Sequence, residues 1–354
     1  MEKTTGSSTR AVGRWVLLGV IMLLIQVMLG GITRLTGSGL SITEWDVVRG
    51  FLPPLNERQW LEAFNRYKQS PQFRLLNSDF GLSDYKFIYL WEWFHRLWAR
   101  LVAVVFVVGF VVLLKKRKLR WEMIVPLLFL FVLGALQGTI GWIMVASGLT
   151  GDAIYVEPIK LAFHFVFALV LIAFVFWYSL YLLVPREQIG RSAVLPKWTG
   201  SLLCLLFFQL LFGALMAGHK AAMAAPTWPT INGDWVPAGL SGSLPFLQNL
   251  LGNKIAVHFV HRGLAYLIFA GVVGWTVIAY RVPSGSDYFR KTRRLPALLV
   301  SVQIGLGIST LLTSPGIVPN RWVAFDWLAL LHQSVGLVFV MVMVWMSFLV
   351  RSTK

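Results

Sequence analysis

Eight long runs of apolar residues, separated by polar segments, dominate the pattern of this chain. Each run has about the 20 apolar residues that are needed to cross roughly 30 Å of hydrocarbon. Lipid offers no partner to a free backbone amide, so each run predicts a transmembrane helix. The pattern therefore predicts an all-α polytopic membrane protein with spans at Trp15–Leu35, Tyr85–Leu114, Met123–Ser147, Glu157–Val184, Trp198–Gly218, Asn253–Tyr280, Leu295–Thr313 and Phe325–Val350.

The polar connections are much longer at one end of the predicted bundle than at the other. The two longest are residues 36–84 and 219–252. The first contains an amphipathic stretch from Trp60 to Tyr67, which predicts a short helix lying on the membrane surface. The connections at the opposite end are short, so we expect the chemistry at the end with the long loops.

The second set of four spans resembles the first. Glu92-Trp-Phe-His-Arg96 opens the second span, and His258-Phe-Val-His-Arg262 opens the sixth. Four spans per repeat leave both copies in the same orientation, so we predict two four-helix bundles, residues 1–190 and 191–354, related by an axis along the membrane normal. The other matching pairs, in order, are Gln137 with Gln303, His164 with His332, and Gln26-Val-Met-Leu-Gly30 with Gln209-Leu-Leu-Phe-Gly213.

Charge adds an orientation to this picture. The net charge is +17, yet only 13% of the residues are charged and 57% are hydrophobic, so lipid rather than nucleic acid is the expected partner. More than half of the 32 Lys and Arg residues lie in the N-terminal tail, the even-numbered connections or the C-terminus. The positive-inside rule then predicts that both termini are cytoplasmic. The N-terminus lacks an Arg/Ser-rich transit segment, which favours a bacterial inner membrane over a mitochondrial one.

Histidines are the main candidates for chemistry, because ionisable residues within spans are rare and usually functional. His95 and His164 lie on the second and fourth spans, and His261 and His332 occupy the matching places on the sixth and eighth. Two neutral imidazoles at similar depth on neighbouring helices can bind one haem iron from both faces. A zinc site needs three or four ligands, and the single cysteine, Cys204, cannot complete one. We therefore predict two haem sites.

Charged residues accompany these histidines at the same level. Arg96 and Arg262 are candidate contacts for haem propionates, with snorkelling to the interface as the alternative. Weaker candidates for the same contacts are Arg34, Arg100 and Arg321.

One carboxylate distinguishes the two halves. Glu92 precedes His95 by three residues, whereas His258 holds the matching place before His261. A carboxylate beside one haem only is a candidate acid/base or cation-stabilising group. The alternative is a supporting residue that orients the histidine or pairs with Arg96.

Three motifs resemble those of the haem A synthases, and the resemblance covers nearly the whole chain. The stretch from Gly30 to Trp45, GGITRLTGSGLSITEW, resembles the signature that ends the first helix of that family. Glu92-Trp-Phe-His-Arg96 and Thr227-Trp-Pro229 match two further motifs. The chain departs from the family in two places. It lacks the cysteine pair that some members carry in the first outer loop, and it has Ala225-Pro where Tyr-Asn is usual.

The resemblance implies an enzyme that oxidises the C8 methyl group of haem O to the formyl group of haem A for terminal oxidases. It implies that His95 and His164 hold the substrate haem, that His261 and His332 are axial ligands of a haem b cofactor, and that Glu92 is the catalytic glutamate. Expected partners are the haem O synthase, terminal oxidase assembly factors and a second copy of the chain. The competing hypotheses are an electron-transfer cytochrome b, which would place its haems on opposite sides of the membrane, and a haem transporter without chemistry.

Overall fold

The computed structural model describes residues 6–44, 49–242, 245–283, 286–319 and 321–351. Within these residues eight helices are long and apolar enough to cross a membrane, as predicted. Trp45, the last residue of the signature after the first span, lies outside the described part. In chain order the helices are α1 Ser7–Leu35, α2 Glu57–Tyr67, α3 Pro71–Leu76, α4 Leu82–Lys115, α5 Trp121–Ser147, α6 Pro158–Leu183, α7 Leu195–Gly218, α8 Phe246–Gly252, α9 Lys254–Arg281, α10 Asp287–Thr292, α11 Leu295–Thr313 and α12 Ala324–Leu349.

The eight spanning helices are α1, α4, α5, α6, α7, α9, α11 and α12, with α10 extending the seventh span. Capping residues and prolines explain several of their boundaries. The Asn253 side chain accepts hydrogen bonds from the first amides of α9, and Pro158 occupies the first position of α6, where no amide donor is needed. The prediction of an all-α polytopic membrane protein is confirmed.

The connections define two ends of the bundle. We define the long-loop end as the end of the bundle at which the helices are joined by residues 36–81, 148–157, 219–253 and 314–323. The short-loop end carries residues 116–120, 184–194 and 282–294 together with the first and last described residues, Gly6 and Arg351. At the short-loop end, a two-residue strand, β1 (Gly190–Arg191), pairs in parallel with β2 (Val350–Arg351) and ties the middle of the chain to its C-terminal end.

Helices α1, α6, α7 and α12 contact one another across the predicted halves, with α6 against α7 and α12, and α1 against α12. One apolar core joins Val12 of α1, Leu127 of α5 and Ile172 of α6 with Val344 of α12. The division into residues 1–190 and 191–354 therefore stays a prediction, because the core is continuous between the two parts.

The amphipathic stretch in the first long loop forms a helix, as predicted. The apolar face of α2 packs against α4, where the rings of Phe64 and Tyr67 stack on Tyr85. Burial raises the pKa of Tyr67 to about 12, and its hydroxyl donates to Gln72 while accepting from Asn77. The helix is thus fixed to the bundle by its apolar face, and its position on a membrane surface remains a prediction.

Candidate functional site

Each of the four predicted ligand histidines packs against a glycine on the neighbouring helix. A methyl group added to Gly141 would lie 2.7 Å from His164 Cε1, and one added to Gly307 would lie 3.0 Å from His332 Cε1. The corresponding distances are 3.2 Å from Gly30 to His95 Nε2 and 3.2 Å from Gly213 to His261 Cε1. Glycine thus lets each imidazole lie directly on the backbone of the adjacent helix.

A glutamine one turn before each glycine contacts the same histidine. Gln26, Gln137 and Gln303 donate their Nε2 hydrogens to the backbone carbonyls of His95, His164 and His332, at 3.2, 3.1 and 3.0 Å. Gln209 Nε2 lies 3.4 Å from His261 Nε2. The Oε1 atoms of all four glutamines are buried without a hydrogen-bond partner among the described residues. An unmatched buried acceptor costs about 1–3 kcal/mol, so its repetition at four equivalent positions calls for a functional reason.

The four contacts lie at one level. Each glycine is in the last two turns of its helix, at the long-loop end. The imidazoles of His95 and His164 are close enough to interact electrostatically, and so are those of His261 and His332. The histidines therefore form two pairs at the same end of the bundle.

The chemistry of these side chains fits haem iron better than zinc. His332 Nδ1 lies 3.1 Å from the carbonyl oxygen of Gln303, to which it can donate. This hydrogen bond would make Nε2, which lies 3.4 Å from Gln303 Nε2, the nitrogen that can bind a metal, the arrangement that is usual for metal-bound histidines. Among the described residues no group of three His, Cys, Asp or Glu side chains gathers as a zinc site would require.

Glu92 lies near the first histidine pair, and its carboxylate accepts hydrogen bonds from other groups of the protein. Its side chain is 3% exposed. Oε1 accepts from Arg96 at 2.6 Å, and Oε2 accepts from the Ser41 hydroxyl at 2.7 Å and the Ile42 amide at 2.8 Å. The carboxylate thus joins α4 to the loop that follows α1 through three hydrogen bonds.

The two candidate propionate arginines hold loops in the same way. Arg96 donates to the carbonyl oxygens of Ile42 and Glu44. Arg262 donates to the carbonyl oxygens of Ala225, Thr227 and Thr230 in the loop after α7, at 2.8, 2.9 and 3.2 Å. Both guanidinium groups therefore fix a long loop to the helix that carries a predicted ligand histidine, and propionate contact remains a prediction.

His258 and His219 have structural partners. His258 is fully buried, and its Nε2 donates to the carbonyl of Ala221 at 2.7 Å while Nδ1 accepts from Arg262. His219 Nε2 donates to the carbonyl of Leu251 at 2.7 Å. At the place where the first half carries Glu92, the second half thus uses a neutral donor to hold its loop.

From the sequence we assigned the glycines after each glutamine to helix packing, whereas in the structure they also contact the histidines. A signal for this contact was present, because Gln-x-x-x-Gly occurs in α1, α5, α7 and α11, always in the spanning helix before the one that carries the histidine. Residues four apart lie on one helix face, so the motif presents both side chains to the same neighbour.

Comparison with known proteins matches residues 13–344 to the family described as Cytochrome oxidase assembly protein (COX15-CtaA). The chain belongs to this family. Among similar members, the Heme A synthase of Methylorubrum extorquens (strain PA1) is 40% identical over 304 residues, covering 85% of this chain and 79% of the relative. The Heme A synthase of Rhodospirillum centenum (strain ATCC 51521 / SW) is 39% identical over 350 residues, covering 98% of this chain and 90% of the relative. The COX15-CtaA match thus spans all eight helices.

Proposed function

We propose that this protein is a haem A synthase, a membrane oxidoreductase that converts the C8 methyl group of haem O to the formyl group of haem A. The relatives that share its family over most of the chain carry that name. The observation that carries the proposal is that four histidines, each packed against a glycine, form two pairs at one end of the bundle. Haem iron, when bound, supplies the oxidising chemistry, and the chain supplies ligands and a site sheltered by loops.

The two pairs have different tasks in this proposal. His95 and His164 hold the substrate haem, and His261 and His332 are the axial ligands of haem b. The difference between Glu92 and His258 supports this division, because a carboxylate lies three residues before His95 and an imidazole lies at the matching place before His261. An anion fixed by Arg96, Ser41 and Ile42 is suited to stabilising positive charge that develops on the reacting haem, more than to accepting a proton.

The test of this function is haem analysis of cells that make haem O. Cells expressing the protein should contain haem A, and cells expressing a His95→Ala variant at the same level should accumulate haem O. A haem transporter would move haem O without changing it. Absence of haem A from cells with well-expressed, haem b-loaded protein would refute the proposed activity.

We further propose that the protein lies in the bacterial inner membrane with both termini in the cytoplasm. The basic residues of the short-loop end support this orientation. A C-terminal fusion to a cytoplasmic reporter should be active, and a periplasmic reporter at the same place should be silent. The reverse result would place the histidine pairs at the cytoplasmic face.

An electron-transfer cytochrome b is disfavoured by the common level of the four histidine contacts. Transfer of charge across the membrane requires haems near both faces, whereas all four glycines lie in the last two turns of their helices at the long-loop end.

A further inference from the structure

The two halves differ in how closely their second and third spanning helices pack together. In the second half α9 packs against α11, which closes that side of the bundle. The equivalent helices of the first half, α4 and α5, make at most marginal backbone contact. In the most apolar stretch of α4 only 6% of the residues are buried within the protein, against 22% in the corresponding stretch of α9.

A stripe of α5 explains the difference. Gly134, Gly138 and Gly141 recur at helical spacing on one face, and Gly141 is the residue that touches His164. Nothing lies within 4 Å of a methyl group added to Gly134 or Gly138. The inner face of α5 therefore borders open space next to the first histidine pair.

The second half fills the same positions with large apolar side chains. The predicted repeat aligns Gly134 with Val300 and Gly138 with Ile304, while Gly141 aligns with Gly307. Val300 is 3% exposed and Ile304 packs against the same apolar cluster, which also contains Ile268 and Val272 of α9. Val300 and Ile304 of α11 thus fill the space that Gly134 and Gly138 of α5 leave open.

The opening in the first half is limited to the long-loop end. Toward the short-loop end the rings of Phe106 in α4 and Phe131 in α5 stack at 6.0 Å, and Leu113 and Leu127 share one apolar core. Helices α4 and α5 therefore meet below the histidine pair and separate beside it. The exposed side chains of the two helices toward the long-loop end include the apolar Phe94 and Trp142.

We propose that the gap between α4 and α5 is a lateral portal through which the substrate haem enters from the lipid and the product returns to it. This inference rests on the proposed function, which makes the first half the substrate site. A porphyrin that carries a long isoprenoid chain partitions into lipid, so a side entrance avoids transfer through water. The second half lacks the portal, because its haem is a cofactor that must be retained between turnovers.

The test fills the portal with the residues of the sealed half. We compare the unaltered protein with the variant Gly134→Val/Gly138→Ile, each purified with its haem b in lipid nanodiscs. Haem O is added, and its association and later dissociation are followed from the Soret band by stopped-flow. An obstructed entrance should slow association and dissociation together, by about tenfold or more, within the range that variants of one site usually span. Equilibrium occupancy and haem b content should change little.

The matched control is Gly305→Val. Gly305 lies on α11 at the same end, and nothing lies within 4 Å of its added methyl group. It is outside the stripe that faces the histidine, so this variant should bind haem O at the unaltered rate. A milder variant, Gly134→Ala/Gly138→Ala, keeps the test valid if the larger side chains prevent insertion, and it should slow both rates to a smaller extent.

The portal is refuted if the doubly substituted protein binds haem O at the unaltered rate, or if Gly305→Val slows binding equally. A weaker equilibrium affinity at an unchanged association rate would also refute it, because the glycines would then be pocket walls. Failure of the proposed function is distinguishable. Unaltered protein that binds haem O but forms no haem A would refute the activity and leave the portal intact.

Discussion

At the scale of single residues, Glu92 shows how the bundle accommodates a buried carboxylate. Its carboxylate receives three hydrogen bonds, and the one from Arg96 neutralises it within the same helix. Leaving one partner of such a buried pair alone costs about 3–5 kcal/mol. The carboxylate is therefore stable where it lies, and a role in the reaction is suggested by its position three residues before His95, where the second half has His258.

We expect Glu92→Gln to retain haem b and to lower haem A formation by about 10²–10⁴-fold, the usual effect of removing a group that assists in the transition state. Glutamine keeps the size of the side chain but removes its charge. The control is Ser41→Ala, which deletes one loop contact and keeps the carboxylate, so its loss should be much smaller. Haem extracted from matched amounts of protein measures both. Near-normal haem A from Glu92→Gln would leave Glu92 as a loop anchor only.

The four glutamines are the second finding at this scale. Each has a donor engaged with a histidine and an acceptor, Oε1, buried without a partner. A half-turn of the Gln209 amide would let its Oε1 accept the N–H of His261 Nε2, which would leave Nδ1 of His261 to bind iron. Hydrogen bonds of this kind orient metal-bound histidines and make them better ligands.

Gln209→Leu should therefore weaken haem b binding by about 10–100-fold, the effect that is typical of losing such a supporting residue. Transfer of haem b to apomyoglobin gives the rate of loss, and the reduction potential should shift as well. Gln333→Leu is the matched control, because the side chain of Gln333 donates to the carbonyl of Val27 at 3.0 Å and not to a histidine. Equal haem loss from both variants would show that Gln209 acts through packing and not through its contact with His261.

At the scale of elements, the recurring unit is a helix with Gln-x-x-x-Gly packed against a helix with histidine. The pairs are α1 with α4, α5 with α6, α7 with α9, and α11 with α12. Helices that approach this closely gain dispersion contacts along the backbone, which is the main attraction between helices in lipid. The close approach and the position of the imidazole are thus set by the same glycine.

A methyl group at such a glycine should displace the histidine. In Gly307→Ala the new carbon would lie 3.0 Å from His332 Cε1, so the imidazole must move and haem b should be held more weakly, with a changed visible spectrum. Gly305→Ala, two residues away, adds the same methyl group where nothing lies within 4 Å. Its spectrum should be unaltered. If both variants keep the normal spectrum, the glycine contact does not position the ligand.

At the scale of the whole molecule, two similar halves are joined through α1, α6, α7 and α12. Both halves carry the same histidine, glutamine and glycine contacts. They differ in the residue three positions before the first histidine ligand, Glu92 or His258, and in the packing of their second and third spanning helices. In our proposal the first half holds the exchangeable substrate haem and the second half holds the permanent haem b.

Substitution of one histidine in each half should separate these two tasks. His261→Ala should lose the low-spin haem b spectrum, because one axial ligand is gone. His95→Ala should keep that spectrum and form no haem A from haem O. Purified protein is compared by reduced-minus-oxidised spectra and by haem extraction. Loss of haem b from His95→Ala alone, with His261→Ala unaffected, would exchange the roles of the halves.

The sequence by itself determined the eight spans, the helix in the first loop, the family and the two sets of histidines. Those conclusions follow from apolar runs and from spacing along one chain, which the requirements of lipid and of the helix impose locally. Residue types near the histidines, such as Glu92 and Arg262, were also found this way, but not what they touch.

Only the tertiary structure decided which groups meet across helices. The glycine that backs each histidine lies on another helix, the carboxylate of Glu92 is occupied by a loop some fifty positions away in the chain, and Arg262 holds the backbone of the loop after α7. The gap between α4 and α5 is likewise a property of packing. Periodicity records which face of a helix is apolar, whereas the partner of that face depends on how all eight helices fit together at once.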